Sequence, residues 1–358
     1  MKLTILKLIV GWSLMPAILT TSAAFAQNYT VVDIGALTGG NSVPTKINLS
    51  GQSVGHSGKM YGVQTRAFSF DKGKLLDLGT LPGGDSSTAF DVNTRGAVVG
   101  DSNTATNLRA FLWDSSTGMQ DLGALPKDTG SRAYGINNSD QVVGFSSGPD
   151  GITAFSWKKQ SGMNSLGRLP GGDMSQAYHI NDGGTIVGAA STRDGERHAV
   201  MWKAGGSIQD MGALSGYPLS EARRINNAGD VIGSVSGPGG TRAVFWPSGG
   251  GIQSLGTLGA DSSTALDFNN RGEIVGSSAS SLGARAFYWT SSAGMIDLNT
   301  QISPNDPIVL TTAIGINNAG MILALGATTI DKGPLDMDDT HRHAGPTRAF
   351  VLIPRPKT

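Results

Sequence analysis

The chain has 358 residues, 27 basic against 27 acidic side chains, 15% charged residues, 52 glycines and no cysteine. The even charge balance gives no electrostatic case for nucleic acid or an anionic membrane, and the missing cysteine excludes disulfides and thiolate chemistry. Burial alone must hold the fold, and the length suffices for one large all-β domain or two smaller ones.

The first 26 residues read as an export signal. Lys2 and Lys7 give a basic start, an apolar stretch runs from Leu8 to Leu19, and Ala24-Phe25-Ala26 precedes Gln27. That order of charge, apolar stretch and small-x-small site predicts cleavage after Ala26. Gly11, Ser13 and Pro16 interrupt the stretch, which falls short of the ~20 apolar residues that a spanning helix needs. The expectation is a secreted or periplasmic mature chain, residues 27–358, with no membrane span after cleavage. The leader carries two lysines and no acid, so its loss leaves 25 basic residues against 27 acidic ones.

The mature chain then repeats itself. Asp77-Leu78-Gly79-Thr80-Leu81-Pro82-Gly83-Gly84-Asp85 has counterparts starting at Asp33, Asp121, Ser165, Asp210, Ser254 and Asp297, so the seven starts are 44, 44, 44, 45, 44 and 43 residues apart. An apolar residue and Asn follow each start: Ile47-Asn48, Val92-Asn93, Ile136-Asn137, Ile180-Asn181, Ile225-Asn226, Phe268-Asn269 and Ile316-Asn317. A third landmark is the Arg of Arg-Ala-Phe or Arg-Ala-Val at Arg66, Arg109, Arg242, Arg285 and Arg348, with Thr153 and His198 in the remaining slots.

Each unit reads as four short strands. In the second unit they are placed near Ala89–Asn93, Ala97–Gly100, Arg109–Trp113 and Met119–Leu125, and Asn-x-x-Gly supplies the first hairpin turn. Four strands per ~44 residues match a propeller blade. The expectation is an all-β, seven-bladed β-propeller. After the seventh start only three strands remain, while Tyr29-Thr30-Val31-Val32-Asp33-Ile34-Gly35 is a fourth-strand sequence without strands of its own. Pairing it beside Arg348–Ile353 completes the last blade and removes an exposed edge.

Phe111 and Trp113 are two residues apart, so they share a strand face. Trp157, Trp202, Trp246 and Trp289 recur at the same slot, with Phe70 and Leu352 at the ends. The row is read as packing between blades. Taken together, the Asp-Leu-Gly-x-Leu-Pro-Gly-Gly opening, the Ile-Asn-x-x-Gly-x-Ile-Val-Gly middle and the x-Ala-Phe-x-Trp close resemble the HAF family of extracellular repeat proteins over essentially residues 29–354. The family's His-Ala-Phe triplet is nearest at His198-Ala199-Val200. The resemblance implies an exported bacterial repeat protein and transfers no catalytic residue.

Loops from strand four to one and from strand two to three share a propeller face. Here they vary most between units, which makes that face the expected binding surface. The slot two residues before the recurring Asn holds Lys46, Asp91, Gly135, His179, Arg224, Asp267 and Gly315. It is expected to form a polar ring at a channel mouth on that face, with Lys46, Asp91, His179, Arg224 and Asp267 as candidate ligand-binding residues. A blade-seven insertion carries Asp336, Asp338, Asp339, His341 and His343, a set able to hold a divalent cation, although it completes no EF-hand loop. Asp85, Asp173 and Asp261 are read as caps of their own turns. No His-Glu-x-x-His or phosphate-binding Gly-Lys-Ser/Thr motif occurs. The leading expectation is a non-enzymatic binding or scaffold module for a protein or surface glycan, with no required cofactor. The alternatives are a carbohydrate-active hydrolase or lyase working at the ring, and a calcium-dependent adhesin.

Overall fold

The computed structural model describes residues 28–34, 41–58, 64–328 and 348–356. The segment read as a leader and the blade-seven insertion with its aspartates and histidines lie outside these residues. The described strands form seven four-stranded antiparallel sheets, each running in chain order from inner to outer strand except the last. The chain is therefore a seven-bladed β-propeller.

Blade two shows the repeat: Ser87–Val92, Val98–Asn103, Leu108–Asp114 and Gly118–Asp121. Its outer strand stops at Asp121, short of the expected Leu125. The Asp121 carboxylate accepts from the Gly123 amide (2.8 Å), and Gly123 takes φ 77°, so the recurring Asp-Leu-Gly is a turn that ends the strand. Leu122 and Leu125 then drop into the core between blades two and three. Where the landmark Arg is present, its guanidinium can hold this same carboxylate, as in Arg66–Asp77 (3.2 Å) and Arg285–Asp297 (3.7 Å). His198 does so for Asp210 at 2.8 Å.

Blade seven contains Ile308–Ile316, Ile322–Thr328 and Arg348–Pro354, and Tyr29–Asp33 is its outer strand. Tyr29 lies opposite Pro354 and Asp33 opposite Phe350. The Arg355 amide donates to the Asn28 carbonyl (2.8 Å) beyond the last pair.

The hydrophobic core is a set of layers between neighbouring blades. One joins Val54 and Ala67 of blade one to Ala89, Val92, Val98 and Phe111 of blade two; the closing layer joins Leu323 and Val351 to Ile47 and Phe68. The Trp row belongs to these layers, with Trp202 and Trp246 buried and Trp113, Trp157 and Trp289 partly so. The Gly of Ile-Val-Gly leaves room for the aromatic of the next strand: a Cβ on Gly100 would overlap the Thr88 carbonyl and stand 2.8 Å from the Phe111 ring.

Buried polar side chains tie the layers together. The Ser131 hydroxyl accepts from the Ala110 amide (2.9 Å) and donates to the Gly123 carbonyl, and Ser87, Ser175, Ser220 and Ser263 repeat this between their own blade pairs. The recurring Asn makes a second set of links, open at one step. Each amide donates to the carbonyl of the Asn in the next blade, from Asn48 to Asn93, Asn137, Asn181 and Asn226, and from Asn269 to Asn317 and back to Asn48, at 3.0–3.3 Å. Asn226 instead turns its amide to Asp230 (2.9 Å).

Candidate functional site

Every inner strand carries a register shift at the same place: Pro44/Lys46, Ala89/Asp91, Ala133/Gly135, Ala177/His179, Ala222/Arg224, Ala265/Asp267 and Ala313/Gly315. The cause is visible in the residue pattern. The small residue four before the recurring Asn and the apolar residue just before it both face the core, as with Ala89 and Val92. They are three apart, and a regular strand puts only residues an even number apart on one face. One extra residue must therefore be absorbed as a bulge. Two consecutive side chains per blade then turn toward the channel.

These pairs build two stacked rings. The lower ring is the expected one, Lys46, Asp91, His179, Arg224 and Asp267, with glycines in the remaining slots. It lines a polar cavity of about 180 Å³ together with the Asn turns. It therefore sits at the end of the channel beside the short hairpins, not at the variable-loop face where sequence reasoning put it. Inner strands start at the variable face, and this slot lies near their far end.

The five side chains do come together. Lys46 Nζ donates to both oxygens of Asp267, at 2.7 and 2.8 Å, and Arg224 Nε stands 3.7 Å from Oδ1. Asp91 accepts from the amides of Val92 (2.9 Å) and of Ile136 in the next blade (3.0 Å). Asp267 accepts in the same way from Ile316 of blade seven (3.0 Å), and His179 Nδ1 from Ile225 of blade five (3.3 Å). These three side chains are links between blades. Gly135 makes room beside His179, since a Cβ there would stand 3.0 Å from His179 Cα.

Burial dominates the electrostatics of this ring. It pushes the Asp91 carboxyl upward against the opposing pull of Lys46 and Arg224. It also drives the His179 imidazole well below its ordinary value, and the same two cations add to that effect. A neutral ring accepting at Nδ1 carries its proton on Nε2, which lies 3.9 Å from Asp91.

The upper ring was not foreseen. It consists of the bulged residues Thr45, Phe90, Tyr134, Tyr178, Arg223, Leu266 and Ile314, and it lines a cavity of about 380 Å³ that Pro44, Glu221 and Arg224 complete. Phe90, Tyr134 and Tyr178 form a curved aromatic wall, with ring centroids 5.0 and 5.6 Å apart and tilted by 58° and 70°. Arginines back that wall: Arg132 lies 5.7 Å from the Phe90 centroid and Arg197 lies 5.8 Å from that of Tyr178. Asp101 holds Arg132 at 2.5 Å, and Glu221 holds Arg223 at 2.6 Å and Arg197 at 3.5 Å. Burial raises the Asp101 carboxyl to about 6, with Arg132 opposing. The residue type of the upper ring changes around the propeller, from aromatic in blades two to four to arginine and aliphatic beyond, so no single landmark of the repeat marks these residues. The odd spacing of the core residues around them is the signal that could have found them.

Asp85 and Asp173 each bind across to the neighbouring loop, where the expectation was a cap on the residue's own turn. Asp85 accepts from Asn103 Nδ2 (2.5 Å) and Asp173 from the Ser191 hydroxyl (2.7 Å). Among the described residues no three His, Cys, Asp or Glu side chains gather as a metal site.

No family model and no curated protein matches the sequence. Solved structures do match the fold. A virginiamycin B lyase from Staphylococcus aureus superposes with a TM-score of 0.55 at 11% identity, over 91% of this chain and 99% of that one. An oligogalacturonate lyase from Vibrio parahaemolyticus gives 0.54 at 9% identity, over 91% and 97%. TolB from Acinetobacter baumannii gives 0.50 at 11% identity, over 69% of this chain, which spans only 63% of the TolB chain. At such identities the likeness concerns the fold alone, and the fold hosts unrelated functions.

Proposed function

We propose that this protein is a non-catalytic binding propeller that takes its ligand into the upper cavity, on the face that carries the variable loops. The observation that carries the reading is the cavity itself. It has about 380 Å³ walled by aromatic, aliphatic and arginine side chains, within the range of small-ligand sites. The inner strands that line it begin at the face whose loops vary most between units, and loop diversity on a rigid scaffold is where recognition resides. The repeat pattern and the leader sequence support an exported protein of the HAF type, acting on a protein or glycan in the periplasm or outside the cell. No helix among the described residues is long and apolar enough to cross a membrane.

The carbohydrate-active alternative needs Asp91 and Asp267 free to meet a substrate. Both side chains are at most 2% exposed, and their oxygens are already engaged by backbone amides and Lys46. The adhesin alternative rests on the blade-seven aspartates and histidines outside the described residues.

A thermal-melt screen of the chain from Gln27 onward against glycans, peptides and divalent ions tests the reading. A ligand at 100 times its dissociation constant should stabilise by about 2.7 kcal/mol. The shift should vanish in Thr45→Trp, which fills the cavity. Polysaccharide cleavage that dies in both Asp91→Asn and Asp267→Asn would defeat the binding reading.

A further inference from the structure

The bulge in blade five has an outcome that no other blade shares. It turns two consecutive arginines, Arg223 and Arg224, toward the channel, where a regular strand would send them to opposite faces. Both line the upper cavity. The Nε of each is buried and has no hydrogen-bond acceptor among the described residues, as is true of that of Arg197 behind Tyr178. Glu221 Oε1 meets Arg223, and among the described residues the salt bridge of Arg224 is with the lower-ring carboxylate of Asp267, 3.7 Å away. Guanidinium donors concentrated in a half-enclosed cavity favour an anion, and a carboxylate matches their fork geometry.

The rest of the wall specifies what accompanies the charge. Phe90, Tyr134 and Tyr178 curve around one side, while Leu266 and Ile314 present aliphatic surface. Tilted rings offer a bowl and not a parallel slot. Such a bowl suits the apolar face of a single ring. The floor is shut by the Lys46–Asp267 and Arg224 contacts, so the ligand enters from the variable face and lies with its charge against blade five.

We infer that the upper cavity binds a cyclic organic acid, one ring bearing one carboxylate, through Arg223 and Arg224 with the ring packed on the aromatic wall. The inference rests on the binding reading above and names its ligand class. The shared chemistry is found in uronic acids and in aromatic carboxylic acids, and the test separates the two.

Calorimetric titration of the purified chain should use galacturonate, phenylacetate, galactose and inorganic sulfate, with Arg223→Gln and Thr45→Trp as variants. Arg223 is the more exposed of the pair, at 41% against 16% for Arg224, and its replacement should leave the melting temperature near that of the parent. The expected result is saturable binding of one or both acids at millimolar concentration, weakened on the order of tenfold or more in Arg223→Gln and lost in Thr45→Trp. Galacturonate alone assigns the site to acidic sugars, and phenylacetate alone assigns it to aromatic acids. Galactose binding as well as galacturonate, or acid binding that is indifferent to Arg223→Gln, overturns the carboxylate inference. If Thr45→Trp still abolishes that binding, the cavity reading stands. Binding that survives Thr45→Trp overturns both. Failure of both acids to bind overturns the carboxylate inference alone.

Discussion

His179 lies under the channel with its Nδ1 accepting from the Ile225 amide, and Asp91, Arg224 and Lys46 surround it. The folded state keeps this ring neutral, whereas the unfolded chain takes up a proton near 6.5. The folded state therefore binds fewer protons, so the contribution is full above that value and is lost as the pH falls below it. Asp101 has the opposite sign. Its carboxyl is raised from 3.8 to about 6, so the stability linked to it is full below 3.8 and disappears as the pH rises through about 6. Urea midpoints from about pH 7.5 down to about 5.5 should fall more steeply in the parent than in His179→Asn, whose side-chain oxygen can still accept from Ile225. Parallel slopes would mean that His179 takes up its proton equally in the folded and unfolded chain. His179 and the other members of the lower ring were legible in the repeat, because one slot that is mostly polar recurs among apolar neighbours; Asp101 was not. The task of the ring members was not legible either, since it depends on the backbone amide that each bulge brings into reach from the next blade.

At the scale of the strand, the repeat encodes contacts between blades more than within them. The Asn of Asn-x-x-Gly was legible as a turn residue, and it is one: the Asn93 side chain accepts from the amides of Arg95 and Ala97, each at 3.0 Å. Its donation to the Asn137 carbonyl (3.3 Å) could not be read from a single unit, because the partner lies a whole repeat away. The serine that opens the inner strands went unremarked for the same reason. Ser131→Ala leaves the Ala110 amide and the Gly123 carbonyl without their buried partner, so equilibrium unfolding should show a loss of about 1–3 kcal/mol. A change below a few tenths would mean that water replaces the hydroxyl. The short outer strand has the same logic, since Asp121 serves its own turn at the expense of further pairing.

For the whole molecule, blade number and closure followed from counting landmarks and from noticing a first strand without companions and a last blade without its outer strand. Counting could not show how the two ends of the channel differ. The lower ring crosses one end with internal ion pairs and the bulged residues line a larger cavity toward the other, so a symmetric repeat yields two unlike cavities along one channel. The asymmetry comes from the two slots in which the blades differ most. Selection on a binding site can therefore act there without disturbing the serine and asparagine links that hold the ring.

The last blade is shared between the two ends of the described chain, with Asn28 hydrogen-bonded to Arg355 beside the final strand pair. A ring so joined has no privileged origin. A peptide linker from residue 356 to residue 28, with a new opening at the exposed Leu282 turn, should give a circular permutant of the propeller. It should elute at the volume of the parent and keep its β-rich circular dichroism. In the permutant blade seven becomes continuous through the linker and blade six is assembled from both new ends, so comparing unfolding rates would reveal whether the three-plus-one seam is where the ring first opens.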